Sequence, residues 1–375
     1  MKFVIAIDSF KGSMTSIEAG NAARDGILKV IPDAEVVVKP VADGGEGTVD
    51  ALVDGLNGAK REITVTNPLG RRINAYYGII NDTAVIEMSA ASGIALIKRN
   101  QLNPLITTTF GVGEMILDAI NNGCRNFIIG IGGSATNDGG VGMLSALGFE
   151  FLDENGEKIG FGGGELEKIC KINTSNVMPE LKECTFSIAC DVTNPLCGSN
   201  GCSAVFGPQK GATPDDVIRM DKGMKNYAEM TKKYVNRIDE NTEGAGAAGG
   251  LGFAFKAYLN GELKSGINLI LEQIKLEESI TDADLVITGE GRLDFQSVMG
   301  KAPTGISALA KKYNVPVLAF AGSVTEDATE CNKHGIDAFF PILRGISTLD
   351  EAMDNENARK NMTQAVEQAI RLFTL

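Results

Sequence analysis

The sequence predicts an α/β protein of two domains, and three observations predict it. Short runs rich in β-branched residues end abruptly at a carboxylate or a glycine cluster. Helical stretches alternate with those runs, and one interval breaks the alternation with antiparallel text. Continuous apolar strands suit a parallel sheet covered on both faces, and strand–helix alternation marks an α/β architecture. The 375 residues exceed one core of usual size, so two domains are expected.

The first strand is expected over residues 3–7 and runs into Asp8. The next covers 35–41 and runs into Asp43-Gly44-Gly45-Glu46. Strands over 127–131, 186–190, 284–288 and 315–321 end at Gly132-Gly133, Asp191, Gly289-Glu290-Gly291 and Gly322. Helices are expected over 16–29, capped by Ser13 or Thr15, and over 47–56, 109–121, 141–147, 214–235, 303–313 and 358–373. Residues 61–89 read as antiparallel, with runs over 73–80 and 84–88 flanking the hairpin signal Asn81-Asp82. The sheet type changes near Asn67-Pro68 and βα text returns near Asp282. One domain is therefore expected from 1–66 plus 283–375, with 67–282 inserted as the other.

Composition excludes several classes. The formal net charge of −13 disfavours nucleic acid and anionic membrane surfaces as partners. No apolar run approaches the roughly 20 residues of a membrane span. The opening MKFVIAID is too short for a signal peptide and suits a buried strand. Seven cysteines with no C-x-x-C pair, and one histidine, His334, argue against zinc and for a reducing, cytoplasmic setting. His334, in the turn Lys333-His334-Gly335, reads as structural or exposed.

The 45 glycines cluster in loops, and those loops carry the chemistry-bearing residues. In open α/β sheets, ligands bind outside the carboxyl ends of the strands. Asp8, Asp43, Glu46, Asp191, Glu290 and Asp294 stand at such ends. Several carboxylates converging there would repel one another unless a cation sits among them, and magnesium takes one or two carboxylates plus substrate phosphates. Each alone also reads as a helix cap or turn residue. Lys11, Lys210, Arg292 and Lys301 lie in or beside glycine loops, where an acidic protein needs cations for phosphate. Residues 130–140 follow a strand and open a helix, so their N–H groups form a phosphate or substrate cradle. Gly130 to Ala135, with Asp153 beyond, also matches the dinucleotide fingerprint, which makes a nicotinamide-dependent dehydrogenase the competing reading. Against it, Asn137-Asp138-Gly139-Gly140 separates the last small residue from the helix. The 244–252 tract reads as a hinge or a close backbone approach to ligand.

Seven segments together resemble the bacterial glycerate kinase family, type I. They are Asp8 to Ser13, Ala42 to Thr48, Gly132 to Gly140, Cys190 to Leu196, Phe206 to Ala212, Gly244 to Gly250 and Ile287 to Arg292, in the family's order. The resemblance implies an ATP- and magnesium-dependent enzyme that phosphorylates D-glycerate, to 2- or 3-phosphoglycerate. It implies one Rossmann- or flavodoxin-like α/β domain with a parallel sheet, built from both chain ends. It implies an inserted mixed-sheet α/β domain and an active-site cleft between the two. Oligomeric state stays open, a homodimer included.

Carried onto this sequence, the catalytic set is Asp191, Lys11, Arg292 and Asp294. The substrate- and nucleotide-binding set is Asp8, Ser9, Asp43, Gly44, Glu46, Ser134, Thr136, Asn137, Asp138, Lys210, Glu290 and Lys301. Asp191 and Glu290 are the expected metal ligands. Asp191, with Glu290 or Asp294, holds magnesium or orients the glycerate hydroxyl as a base. Lys11, Lys210 and Lys301 neutralise phosphate oxygens, and Arg292 clamps the glycerate carboxylate.

Overall fold

A computed structural model describes residues 1–235, 240–298 and 300–375. In chain order the strands are β1 (Lys2–Ile7), β2 (Glu35–Val38), β3 (Ala59–Thr66), β4 (Arg72–Ile80), β5 (Thr83–Glu87), β6 (Asn126–Gly130) and β7 (Glu150–Leu152). They continue as β8 (Lys171–Asn173), β9 (Thr185–Ala189), β10 (Glu262–Lys264), β11 (Leu285–Leu293), β12 (Val317–Val324) and β13 (Ala338–Pro341). The chain forms two compact units. Unit 1 holds residues 1–43, 50–57 and 267–375, and unit 2 holds 44–49 and 58–266. These divisions differ from the expected 66/67 and 282/283 for a physical reason. Ala59–Thr66, which precedes the change of sheet type at Asn67, is itself paired antiparallel to β4 along its whole length.

Unit 1 is a five-stranded parallel sheet in the order β13-β12-β11-β1-β2. By rank within the unit this is the order 2-1-3-4-5, the flavodoxin-like winding, whose switch point lies between β1 and β11. Phe3 to Ile7 are all buried, as a continuous apolar run requires of a central parallel strand. Phe3, Ile5 and Ile7 pack in one cluster with the helices Ser16–Leu28 and Asn355–Phe373. Gly26 permits that helix pair to close, because a Cβ there would lie 2.5 Å from the Thr363 carbonyl oxygen. Thr15 caps Ser16–Leu28 through a capping box with Glu18, one of the two caps expected.

One expectation is corrected here. The residues Gly289-Glu290-Gly291-Arg292 do not leave the strand as a loop: β11 runs on to Leu293, paired with β12 up to Leu293 opposite Val324. The glycines are demanded by neighbours rather than by a turn. A Cβ at Gly289 would sit 2.1 Å from the Phe320 carbonyl oxygen, and one at Gly322 would sit 2.7 Å from that of Gly291.

Unit 2 carries a six-stranded mixed sheet, β10-β9-β6-β5-β4-β3. Pairings are parallel from β10 through β5 and antiparallel from β5 through β3. Asn81 turns the β4–β5 hairpin with a φ of 55°, as the Asn-Asp signal predicts. A small ribbon, β7 with β8, is antiparallel. The core gathers Ile86, Ile129, Phe127, Phe186 and Phe255 from the sheet and the helix Ala247–Tyr258. Among the described residues no helix is long and apolar enough to cross a membrane.

Candidate functional site

Unit 1 holds a cavity of about 410 Å³ at the carboxyl ends of β1 and β11, the switch point of its sheet. Asp8, Asp43 and Glu290 line it together with Lys11, Arg292 and Lys301. Ser9 lines it as well, and its N–H donates to Asp8 Oδ1 at 2.6 Å. Burial raises the Asp8 carboxyl to about 7, reinforced by the charges of Asp43 and Glu290 and opposed by the Ser9 N–H and Lys11. Burial also raises Glu290 above the usual carboxylate range. Ser297 donates to Glu290 Oε1, and Lys301 Nζ stands 3.8 Å from its Oε2. Ser13 also lines the cavity, and its hydroxyl is buried without a hydrogen-bond partner.

Asp294 is placed differently. Its Oδ1 accepts from the Gln296 N–H at 2.9 Å, which caps the turn Phe295–Val298, and its Oδ2 is 3.2 Å from Arg292 Nε. It therefore orders the segment after β11 and holds Arg292 while lying outside the lining of the cavity.

In unit 2 the parallel strands bring Glu87, Gly130 and Ala189 to neighbouring positions at one sheet edge. Asp191 follows there, exposed, with its Oδ1 accepting from the Gly266 N–H at 2.9 Å. Gly44 is pressed against this edge: a Cβ on it would lie 2.7 Å from Gly266 Cα and 2.8 Å from Ala189 Cβ. Glu46 is exposed in the same loop.

The 134–140 loop faces inward far more than a cradle would. Asp138 is buried and accepts from Thr109 N–H at 2.8 Å, Thr109 Oγ1 at 2.9 Å, Gly140 N–H at 3.1 Å and Gly142 N–H at 3.3 Å. Those bonds oppose the rise that burial imposes on its carboxyl. Lys210 is buried and donates to Ser134 Oγ at 2.8 Å and to the Thr136 carbonyl oxygen at 2.6 Å. Burial lowers it to about 8, and the charge of Asp138 opposes that shift. Asn137 donates to Ser203 Oγ at 2.8 Å, while its Oδ1 and Thr136 Oγ1 are buried without partners.

The 244–252 tract also resolves into a close backbone approach, made to this loop. Ala248, Gly249 and Gly250 all take positive φ, and a Cβ on Gly249 would lie 2.1 Å from the Thr136 carbonyl oxygen. Gly249 in turn accepts from the Gly139 N–H at 2.9 Å.

The dinucleotide fingerprint fails on geometry. The helix after Gly130–Ala135 starts only at Val141. Asp153 spends its Oδ1 on the N–H groups of Asn155 and Glu157, at 2.9 Å each, in its own exposed turn.

Two residues escaped the sequence reading. Glu87 accepts from the N–H groups of Gly47, at 3.1 Å, and Val49, at 2.9 Å, and so fixes the 44–49 loop in unit 2. A carboxylate after the buried run 84–86 was the signal for it. Ser297 carries no such signal, since its partner Glu290 is reached only through the fold. His334 is exposed at the end of Glu326–His334, as expected.

The sequence of the chain from residue 3 to residue 374 matches the model of the glycerate kinase family. The chain belongs to the glycerate kinase family. It is 51% identical to the glycerate 2-kinase of Escherichia coli K12, over 94% of this chain and 93% of that protein. It is 47% identical to the glycerate kinase of Bacillus subtilis 168, with both chains fully covered. A crystal structure from Salmonella typhimurium LT2, provisionally assigned as glycerate kinase 2, superposes with a TM-score of 0.93 at 44% identity. That superposition covers 100% of this chain and 98% of that one. The parallel sheet of unit 1 and the mixed sheet of unit 2 are thus a glycerate kinase architecture.

Proposed function

We propose that the chain transfers the γ-phosphoryl group of ATP to D-glycerate, giving phosphoglycerate. The observation that carries this is the unit 1 cavity, where three cations stand beside three carboxylates at a sheet switch point in a chain of this family. Phosphoryl transfer asks a protein for positioning and charge neutralisation rather than covalent chemistry, and this set supplies both. The nicotinamide reading has neither the fingerprint geometry nor a relative among those named above to support it.

Magnesium fits the residues present. The donors are all carboxylate oxygens, Asp8 and Glu290 are both raised by burial and by neighbouring carboxylates, Asp43 among them, and a hard cation would relieve both. Among the described residues no three His, Cys, Asp or Glu side chains are grouped to cage a metal. Magnesium needs no such cage, since it binds through one or two carboxylates with the rest from phosphate and water. When bound, it would neutralise phosphate charge.

Lys11 and Lys301 neutralise phosphate oxygens, Ser13 Oγ donates to one, and Arg292, steered by Asp294, binds an anionic group. Ser297 fixes the Glu290 carboxylate. In unit 2, the exposed Asp191, which accepts from the Gly266 N–H, is the residue assigned to orient the glycerate hydroxyl. Lys210 and Asp138 act by holding the 134–140 loop in shape. The relative named glycerate 2-kinase favours the 2-hydroxyl as acceptor. Seven free thiols fit a reducing, cytoplasmic setting.

The test is a coupled ADP-release assay with D-glycerate, ATP and magnesium, with the product identified by 31P NMR. ADP release that requires D-glycerate is expected, and a folded chain with none would end this reading. Asp191→Asn is expected to lower kcat about tenfold or more with the unfolding midpoint unchanged. Normal turnover in that variant would remove Asp191 from the chemistry.

A further inference from the structure

We infer that the unit 1 cavity takes the nucleotide, its purine base against the apolar wall of Phe10, Ile342, Leu349 and Met353 and its phosphates toward Lys11 and Lys301. This rests on the kinase reading above and says which of the two substrates the cavity holds.

The first argument is size and surface. Cavities of roughly 300–1,000 Å³ suit drug-sized ligands, and this one, at about 410 Å³, is in that class. Glycerate is a three-carbon acid with a carboxylate and two hydroxyls, so it has no apolar face to offer. Burying its polar groups against leucine and methionine would desolvate them without recompense. A purine has two broad apolar faces and matches such a wall.

The second argument is exposure. Leu349 is 76% exposed and Met353 38% exposed, yet both line the cavity. Large apolar side chains left open at a cavity mouth mark a surface that a ligand covers.

The third argument is order. The short helix Leu349–Met353 is held by a capping box in which Thr348 N–H donates to Glu351 Oε2 at 2.9 Å and Glu351 N–H to Thr348 Oγ1 at 3.3 Å. The wall is therefore set before the ligand arrives, which lowers the entropic cost of binding. Gly12, with a φ of 78°, leaves room for Met353: a Cβ there would come within 3.0 Å of Met353 Cε. The flexible thioether can then settle on a planar base.

The two ends of the cavity thus differ in kind. One is apolar and half open. The other is polar, with the carboxylates of Asp8, Asp43 and Glu290, two lysines, and the unpartnered hydroxyl of Ser13. A base joined to a polyphosphate has the same division.

The experiment uses the full chain and two exposed-wall variants, Leu349→Asp and Met353→Glu, with folding checked by circular dichroism. ADP with magnesium is titrated calorimetrically into each, and initial rates are measured with ATP and D-glycerate varied separately. Each variant is expected to raise the ADP Kd and the ATP KM about tenfold or more, with the D-glycerate KM within about twofold. Unchanged ADP affinity in both variants, or a rise confined to the D-glycerate KM, would overturn the assignment. If wild-type chain binds ADP, the variants lose it, and no turnover of D-glycerate is seen, the cavity assignment stands and the glycerate reading falls. No ADP binding by the wild-type chain at millimolar concentration overturns the assignment itself.

Discussion

Replacing Asp8 with Asn is expected to lower kcat by about 10²–10³-fold and, at the same time, to make the ligand-free chain less sensitive to rising pH. Both effects have one cause. Asp8 is only 7% exposed, and Asp43 and Glu290 add their charges to the burial. Its folded-state value of about 7 lies well above the 3.8 of an ordinary aspartate side chain. Between those values the folded chain keeps a proton that the unfolded chain has released. Stability therefore falls as pH rises from about 4 to about 7, and the loss is complete above that. From pH 5 to pH 8 the loss at this one position is on the order of 2–3 kcal/mol. Asn carries no charge and does not contribute it.

Urea unfolding midpoints of both proteins at pH 5 and pH 8 measure the difference. Wild type should lose more than Asp8→Asn, and equal losses would show that Asp8 is not the strained group. Magnesium with ADP supplies the counter-charge that the carboxylates lack. It should raise the wild-type midpoint more at pH 8 than at pH 5, and raise that of Asp8→Asn less at either. Strain of this kind, relieved only by ligand, is common where binding matters more than apo stability.

The strands of unit 1 were legible in the sequence because a strand buried on both faces has to be apolar without interruption, as Phe3 to Ile7 are. Their order was not legible, since the pairing of β1 with both β2 and β11 joins residues far apart in the chain. Glycine caused the main misreading. Gly289 and Gly291 look like breakers, yet β12 comes so close that only glycine fits at Gly289, and the strand continues past both.

The site divides in the same way. Carboxylates at strand ends, such as Asp8 and Asp191, follow from local pattern alone. The direction in which a loop side chain turns does not. Asn137-Asp138-Gly139-Gly140 reads as an open cradle, and only the position of Thr109, some 30 residues earlier, shows that the carboxylate is used internally. Lys210 between two glycines reads as a phosphate ligand for the same reason, and the pattern could not show that two of its three N–H donors go to Ser134 and Thr136.

Asp138→Ala is therefore expected to act on stability first. The carboxylate accepts four hydrogen bonds, two of them from Thr109. Removing it strands several buried donors, at a cost of about 3–5 kcal/mol. For a unit of this size that lowers the melting midpoint by roughly 6–15 °C. Asp138→Asn is the sharper probe. Its volume is unchanged, but one oxygen becomes an NH2 group facing donors, so it should lose most of the same stability. A ligand-contacting Asp138 would behave in the opposite way: the KM for ATP or D-glycerate would rise in Asp138→Asn while the melting midpoint stayed put. The burial of Asp138 favours the first outcome, because a carboxylate whose oxygens accept from Thr109, Gly140 and Gly142 would have to give up some of those bonds, and loosen the start of the helix Val141–Ala146, to meet a substrate.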